Sequence, residues 1–381
     1  MDARTLDKIL SCEDLPSLPA VALRVIELTR DTNVALDELG ETIQNDQGLA
    51  SKVLKTVNSS FYGLRSKCST IQRALVMLGL KPVKSLALGF SIVSAVGTDE
   101  DEAFDYQAYW RRGLFSAAAA KLLAEAAGEH EHADEAFLGG LLQDIGQVAM
   151  YRALRGDYVQ ALHAALGDHR KLVQAELDAF EIQHPDIGAM LCERWKLPPD
   201  LVLPVRYHER PTAAPDECRI NVRCVAVGNI LHDVLTDSDP TAALRQAYAR
   251  CDKWFGLDQN AVDDLVRKLG EGVAELTQLF KLDTGTRADA EAALDQAASD
   301  ARDAASGAGT AETDPLTGVY NKIGYDTIMR QTFARASSHA SPMAILIVAL
   351  DGMKEICGLG GEAIDGEIGM NVSSMLRRHF D

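Results

Sequence analysis

The sequence predicts a mainly α-helical protein with more than one domain, and three observations support this. Apolar residues recur at spacings of three and four over most of the first 280 residues, as on the buried face of a helix. No strand-like alternation of any length precedes residue 340. The chain has 381 residues, more than one ordinary core accommodates, so two or three domains are expected.

The first predicted domain, residues 1–104, is a bundle of consecutive helices. Two prolines make 15–19 an extended entry, because the residue before a proline avoids the helical region. Asn58 and Gly63 are expected to end the helix that precedes them. The segments with helical spacing are Ala20–Thr29, a stripe made by Leu49, Val53, Leu54 and Val57, Ile71–Leu80, and Ser85–Val96, which is apolar nearly all round.

The second predicted domain, residues 105–282, is another helical bundle, which follows an acidic loop at 98–102. Its predicted helices are Leu114–Ala127, Asp134–Tyr151, Leu172–Glu181, Pro185–Trp195, Asp200–Tyr207 and Arg219–Leu235.

The composition changes after this bundle. Residues 283–312 are rich in alanine, and Ala290, Leu294, Ala297, Ala301 and Ala304 have heptad spacing, which fits a helical linker, either solvated or paired in a homodimer. In the last segment, 313–381, Asp314 and Pro315 predict a helix start, and the apolar run Met343–Leu350 predicts a buried strand. This last segment is therefore expected to be a partial α/β domain.

Charge and composition exclude several classes of protein. The formal net charge of −18 is unsuited to a phosphate backbone, so nucleic acid is not an expected ligand. Seven scattered cysteines without a Cys-x-x-Cys pair indicate reduced thiols of a cytoplasmic protein. There is no apolar signal core at the N-terminus and no run long enough to span a bilayer, so no membrane association is expected.

Several motifs in the first 240 residues together resemble the HDOD family. HDOD domains are all-α signalling modules related to the metal-dependent HD phosphohydrolases but generally without their activity, and the resemblance implies the same for this chain. The motifs, in order, are Leu15–Ala20, Ile43–Asp46, Val57–Gly63, Ile71–Gly79, Phe137–Gly146 and Tyr207–His208.

The resemblance also implies where the HD metal ligands would stand. Arg112 takes the place of the early histidine, Gln143 and Asp144 that of the His-Asp pair, His184 and His208 match later histidines, and Asn229 replaces the closing aspartate. A guanidinium cannot bind a metal ion, and a neutral amide is a poor ligand for a transition metal.

We therefore expect a remnant pocket with no catalytic residue, metal or cofactor. Helical periodicity places Asp144 at the edge of a buried arc, where a carboxylate needs a partner, and Arg112 is the candidate. His184 and His208 are expected to be hydrogen-bonded structural histidines. Metal binding by Asp144 and the two histidines is the alternative.

A second resemblance begins at Asp314–Lys322, which is similar to the entry motif of GGDEF domains, enzymes that make cyclic di-GMP from two GTP. It implies that Ala349 stands at the metal-binding aspartate and that Asp351 is retained as a neighbouring one. Cys357 and Gly366 stand at the guanine-reading asparagine and aspartate, with Asp365 adjacent. Neither alanine nor cysteine supplies the contact needed, so this half is expected to be degenerate.

These observations favour a non-enzymatic bacterial signalling module that acts through regulatory protein partners in cyclic di-GMP-linked control of motility or biofilm. Two alternatives stay open. One is a metal-dependent HD-type phosphohydrolase with a rearranged ligand set. The other is a receptor that binds GTP or cyclic di-GMP through the GGDEF-like half.

Overall fold

The computed structural model describes most of the first 279 residues. The described residues are 3–28, 36–96, 103–165, 169–236 and 240–279, together with the single positions 319, 320, 325 and 329. The predicted linker, the predicted strand at Met343–Leu350 and the five GGDEF-like positions lie outside the described residues.

The described part of the first 279 residues is built from α-helices with three short 3-10 turns, so the prediction of an all-α fold is confirmed there. The helices are α1 Ala3–Leu10, α2 Ala20–Leu28, α3 Leu36–Gln44, α4 Gln47–Val57, α5 Ile71–Leu78, α6 Leu80–Val96, α7 Tyr106–Ala126, α8 Ala133–Leu142, α9 Ile145–Leu154, α10 Gly156–Ala165, α11 His169–Phe180, α12 His184–Arg194, α13 Pro199–Tyr207, α14 Arg219–Thr236, α15 Pro240–Phe255 and α16 Gln259–Leu279.

Local signals explain the ends of the N-terminal helices. The Asp46 carboxylate accepts a hydrogen bond from the Leu49 amide and so caps the start of α4. Asn58 ends that helix, as predicted, and its side chain bonds both the amide and the carbonyl of Cys68, at 2.7 and 2.8 Å. α6 is buried along most of its length, which confirms the expectation of a helix inside a bundle.

The long helix α7 lies at the centre of the second bundle and packs on α8, α14 and α16. It begins at Tyr106, capped by the Asp105 carboxylate, so the predicted start at Leu114 was wrong. The additional turns bury Tyr109 and Trp110 against the core. Two arginines follow Trp110, so the local sequence pattern did not predict this tertiary contact.

The predicted helix Asp134–Tyr151 is also wrong, because the chain turns between α8 and α9 at Gln143 and Asp144. Apolar spacing continues through this turn, so periodicity alone could not detect it. The turn lets the Asp144 side chain enter the interior, where it is 2% exposed. The expectation that Asp144 is only partly buried was therefore wrong as well.

Glycine lets the helices around this turn approach closely. A methyl group on Gly140 of α8 would lie 2.7 Å from the Ala117 Cα of α7, and one on Gly146 of α9 would overlap the His184 carbonyl of α12. The backbones of three helices are thereby drawn around the turn that carries Asp144.

The hydrophobic core is continuous from the first bundle to the second. The extended entry at 15–19 is present as predicted, and the indole of Trp195 donates a hydrogen bond to its Pro16 carbonyl. No described helix is long and apolar enough to cross a membrane.

Candidate functional site

The structure brings the six predicted pocket residues together through direct side-chain contacts. Asp144 is their hub: it contacts an arginine and an amide through one carboxylate oxygen and histidines through the other. The six residues are Arg112, Gln143, Asp144, His184, His208 and Asn229. They come from α7, the α8–α9 turn, α12, the end of α13 and α14.

The Oδ1 atom of Asp144 faces three imidazole nitrogens. Its distances to the Nε2 atoms of His169, His184 and His208 are 3.3, 3.2 and 3.5 Å. Burial alone would raise the pKa of Asp144, but the three histidines outweigh it and hold that pKa well below its usual range. The carboxylate is therefore ionised at neutral pH.

His184 is held from behind by a buried carboxylate. Its Nδ1 lies 2.8 Å from Glu176 Oε2, and its backbone amide donates to the same oxygen at 2.8 Å. Tyr158 donates its hydroxyl to Glu176 Oε1 at 2.6 Å. Burial lowers the pKa of His184, but the Glu176 and Asp144 carboxylates outweigh it and raise it to about 10.

His208 follows the last residue of α13, and its Nδ1 lies 2.8 Å from the Val205 carbonyl oxygen. A carbonyl can only accept, so Nδ1 must carry the proton in this contact. In the neutral ring the lone pair is then on Nε2, the atom that points at Asp144.

His169 is a site residue that sequence reasoning missed. It is the first residue of α11, its side chain is 7% exposed, and its Nε2 lies 2.9 Å from Glu209 Oε1. Burial would raise the pKa of Glu209, but the neighbouring histidines lower it to about 2. His169 and Glu209 stand in polar stretches with no spacing signal. Considering every histidine of the second bundle would have included His169, and Glu209 directly follows His208.

On the other side of Asp144, Arg112 forms the expected ion pair, with Nε 3.7 Å from Asp144 Oδ2. Its Nη1 also donates to Asp233 Oδ1 at 2.9 Å and lies 3.2 Å from His232 Nδ1. Burial is the main cause that lowers the pKa of His232, to about 4. His232 and Asp233 were not predicted, although they follow Asn229 by one turn of α14.

The two amides of the pocket bond to each other. Gln143 Nε2 donates to Asn229 Oδ1 at 2.6 Å, and the Ser116 hydroxyl donates to the same oxygen at 3.1 Å. Gln143 Nε2 also lies 3.3 Å from Asp144 Oδ2. The pocket therefore has two unlike halves: a carboxylate with three imidazoles, and a guanidinium with two amides.

Only the first half has atoms of a kind that hold a transition metal. Its four facing atoms, Asp144 Oδ1 and the Nε2 atoms of His169, His184 and His208, all lie within 4.8 Å of one another. The amides and the guanidinium offer no comparable ligand.

Comparison with known proteins places this site in a family. The model of the HDOD domain matches residues 15–211, more than half of the chain. The chain belongs to the HDOD family. The matched residues include α12 and α13 and with them His184 and His208.

Solved structures with this fold include an HDOD domain protein of unknown function from Geobacter sulfurreducens, with a TM-score of 0.60 and 24% identity. It covers 72% of this chain and 96% of its own. A candidate phosphohydrolase from Shewanella amazonensis has a TM-score of 0.59 and 23% identity, over 73% of this chain and 98% of its own. A candidate signal transduction protein from Marinobacter aquaeolei has a TM-score of 0.56 and 23% identity, over 73% and 65%.

An uncharacterized protein of Treponema pallidum is 28% identical to this chain over 232 residues, which cover 60% of the chain and 44% of that protein. The chain thus matches less than half the length of this curated relative.

Proposed function

We propose that this HDOD protein is a non-enzymatic cytoplasmic signalling module of bacterial type that acts by binding regulatory proteins. The observation that carries the proposal is the position of Arg112, whose guanidinium lies where an HD enzyme would need a metal ligand. Its Nε is 3.7 Å from the carboxylate of Asp144, and Asp233 holds its other end.

A binuclear hydrolase needs two metal ions about 3.5–4 Å apart to clamp the attacking and leaving oxygens. Here the space on the Oδ2 side of Asp144 holds a permanent positive charge, which repels a second cation. Gln143 and Asn229 satisfy part of each other's hydrogen-bonding capacity instead of binding an ion. These contacts support the loss of phosphohydrolase chemistry.

The test of the non-enzymatic proposal is an assay of the purified full chain against bis(p-nitrophenyl) phosphate and cyclic di-GMP, with Mn²⁺ or Mg²⁺ present. We expect no turnover above that of the Asp144→Ala variant. Turnover that the Asp144→Ala variant abolishes would establish the phosphohydrolase alternative instead.

The test of protein binding is capture of partners from the native cell with the full chain as bait. Val76 on α5 is 80% exposed, a large apolar side chain that a partner could cover. We expect Val76→Asp to release at least one captured regulator that is retained by Leu177→Asp, the same kind of change at a position of α11 that is 38% exposed. Identical capture by all three baits would exclude this face of α5.

The link to cyclic di-GMP rests on the resemblance of Asp314–Lys322 to the GGDEF entry motif. We propose that the partners belong to pathways controlled by this nucleotide, such as motility or biofilm, and that the chain itself does not bind it. Calorimetry with GTP and with cyclic di-GMP tests this, and saturable binding of either would identify a receptor.

A further inference from the structure

We propose that Asp144, His169, His184 and His208, called here the Asp144 cluster, bind one divalent transition-metal ion such as Zn²⁺. The inference goes beyond the proposed function and does not depend on it. The four residues come from four separate segments: the α8–α9 turn, the start of α11, the start of α12 and the end of α13.

Four buried ligand atoms face one another at one point of the interior. Asp144 Oδ1 and the Nε2 atoms of the three histidines are buried and make no hydrogen bond of acceptable geometry. The contacts of Asp144 with the three imidazoles, and of His169 with Glu209, are at ion-pair distances of 2.9 to 3.5 Å, whereas buried polar groups nearly always make well-aligned hydrogen bonds. A bound cation would satisfy all four at once.

The spacing of the four ligand atoms also fits a tetrahedral zinc site. Zinc binds nitrogen and oxygen ligands at about 2.0–2.1 Å, so a tetrahedral site separates its ligand atoms by about 3.3–3.4 Å. The three distances from Asp144 Oδ1 to the imidazole nitrogens are 3.3, 3.2 and 3.5 Å. The remaining separations do not exceed 4.8 Å and shorten when the three nitrogens share an ion.

The rings of His184 and His208 are each held at Nδ1 by a partner behind them. Nδ1 of His184 faces the Glu176 carboxylate and Nδ1 of His208 faces the Val205 carbonyl, both at 2.8 Å. Each contact keeps a proton on Nδ1, so Nε2 is the atom that binds an ion after releasing any proton that it carries. Metal-binding histidines usually have such a partner behind them.

The pocket also has the charge that a cation needs. The carboxylates of Asp144, Glu176, Glu209 and Asp233 lie around it; Arg112 contacts two of them, and imidazoles contact the other two. Buried carboxylates without enough positive charge are strongly disfavoured. A divalent cation on the side of Asp144 away from Arg112 would supply the positive charge that the imidazoles lose when they release Nε2 protons to bind it.

The ligand set also selects the kind of ion. Three imidazoles and one carboxylate suit zinc and its neighbours in the first transition row, whereas Mg²⁺ prefers a shell of oxygens. Four protein ligands close a tetrahedral zinc site, and catalytic zinc sites keep a position for water. The structure thus assigns a closed single-ion site.

The experiment is a titration of the metal-stripped full chain with Zn²⁺, followed by calorimetry and elemental analysis. We expect one zinc per chain, a higher unfolding temperature with zinc, and no competition from excess Mg²⁺. Asp144→Asn and His169→Ala should each weaken binding at least 100-fold, while His163→Ala, an exposed histidine of α10, should not change it.

Circular dichroism of each stripped variant verifies that it folds, and His169→Ala provides the test if Asp144→Asn does not. Substitution by Co²⁺ is expected to give the intense visible absorption of a tetrahedral ion. The proposal would be overturned by a wild-type chain that binds no stoichiometric zinc, by zinc binding unaffected by His169→Ala, or by a weak six-coordinate cobalt spectrum.

Discussion

Gly146→Ala is predicted to destabilise the protein strongly, because α9 and α12 touch at this position with no room for a side chain. The added methyl carbon would lie 2.8 Å from the His184 carbonyl carbon and 2.7 Å from the Gly188 nitrogen. Carbon atoms pack best at about 3.5–4.0 Å, so the helices must separate by about 0.7 Å or more.

The size of the effect follows from what surrounds the methyl group. Backbone atoms cannot rotate away as a flexible side chain can, so the cost lies at the upper end of the range for overpacking, about 3 kcal/mol. For a domain of this size that lowers the unfolding temperature by about 6–12 °C. The separation also moves His184 relative to Asp144 and should weaken zinc binding.

The assay is urea denaturation of wild type and variant, with the midpoint and the slope fitted separately. Gly156→Ala is the matched control: it lies at the start of α10, and its added methyl meets no atom within 4 Å. It should leave stability unchanged or raise it by up to about 1 kcal/mol through helix propensity. A Gly146→Ala protein within about 0.5 kcal/mol of wild type would refute the close packing of α9 on α12.

Three further predictions concern the two halves of the pocket. Glu176→Gln removes the carboxylate behind the His184 imidazole and should weaken zinc binding about 10–100-fold, measured by calorimetry. Tyr158→Phe removes only one hydrogen bond to Glu176 and should leave zinc binding unchanged in the same assay. Arg112→Met leaves two carboxylates without their cation and should cost about 3–5 kcal/mol in urea denaturation. The pKa of His232 is lowered to about 4 from 6.5, so its contribution to stability is present above pH 6.5 and is lost as the pH falls towards 4. Between pH 6.5 and pH 4 the unfolding free energy of His232→Gln should therefore fall by up to about 3 kcal/mol less than that of wild type, as denaturation at a series of pH values will measure.

Most of the fold could be predicted from the sequence because helical periodicity is a local property. The stripe that ends at Val57 became α4, and the apolar segment before Gly97 became α6, which begins at Leu80, five residues before the predicted start at Ser85. The errors fell where long-range packing decides the structure. α7 begins early to bury Trp110, and the turn at Asp144 interrupts an apolar pattern that has no break of its own.

The site was half predictable for a related reason. Family motifs pointed to Asp144, His184 and His208, and the structure does bring these three together. No such motif marks His169 and Glu176, because their contacts with Asp144 and His184 exist only in the folded chain. The sequence also predicted that no metal binds, which stays a prediction; it counted the lost ligands and did not include His169, which lies in the same cluster.

The two halves of the pocket suggest how an HD-type pocket can lose hydrolysis and keep a metal ion. Under the proposed function, the fixed charge of Arg112 would stand in the place of one cation, and the second metal that hydrolysis requires would be lost. The Asp144 cluster would keep a single ion, which would connect four segments in addition to hydrogen bonds such as that between Glu176 and His184. At a zinc concentration 100 times the dissociation constant, binding would stabilise this arrangement by about 2.7 kcal/mol. Because α11 and α13 are both held by this ion, their positions would depend on zinc, and a protein partner that contacts either helix would sense its presence.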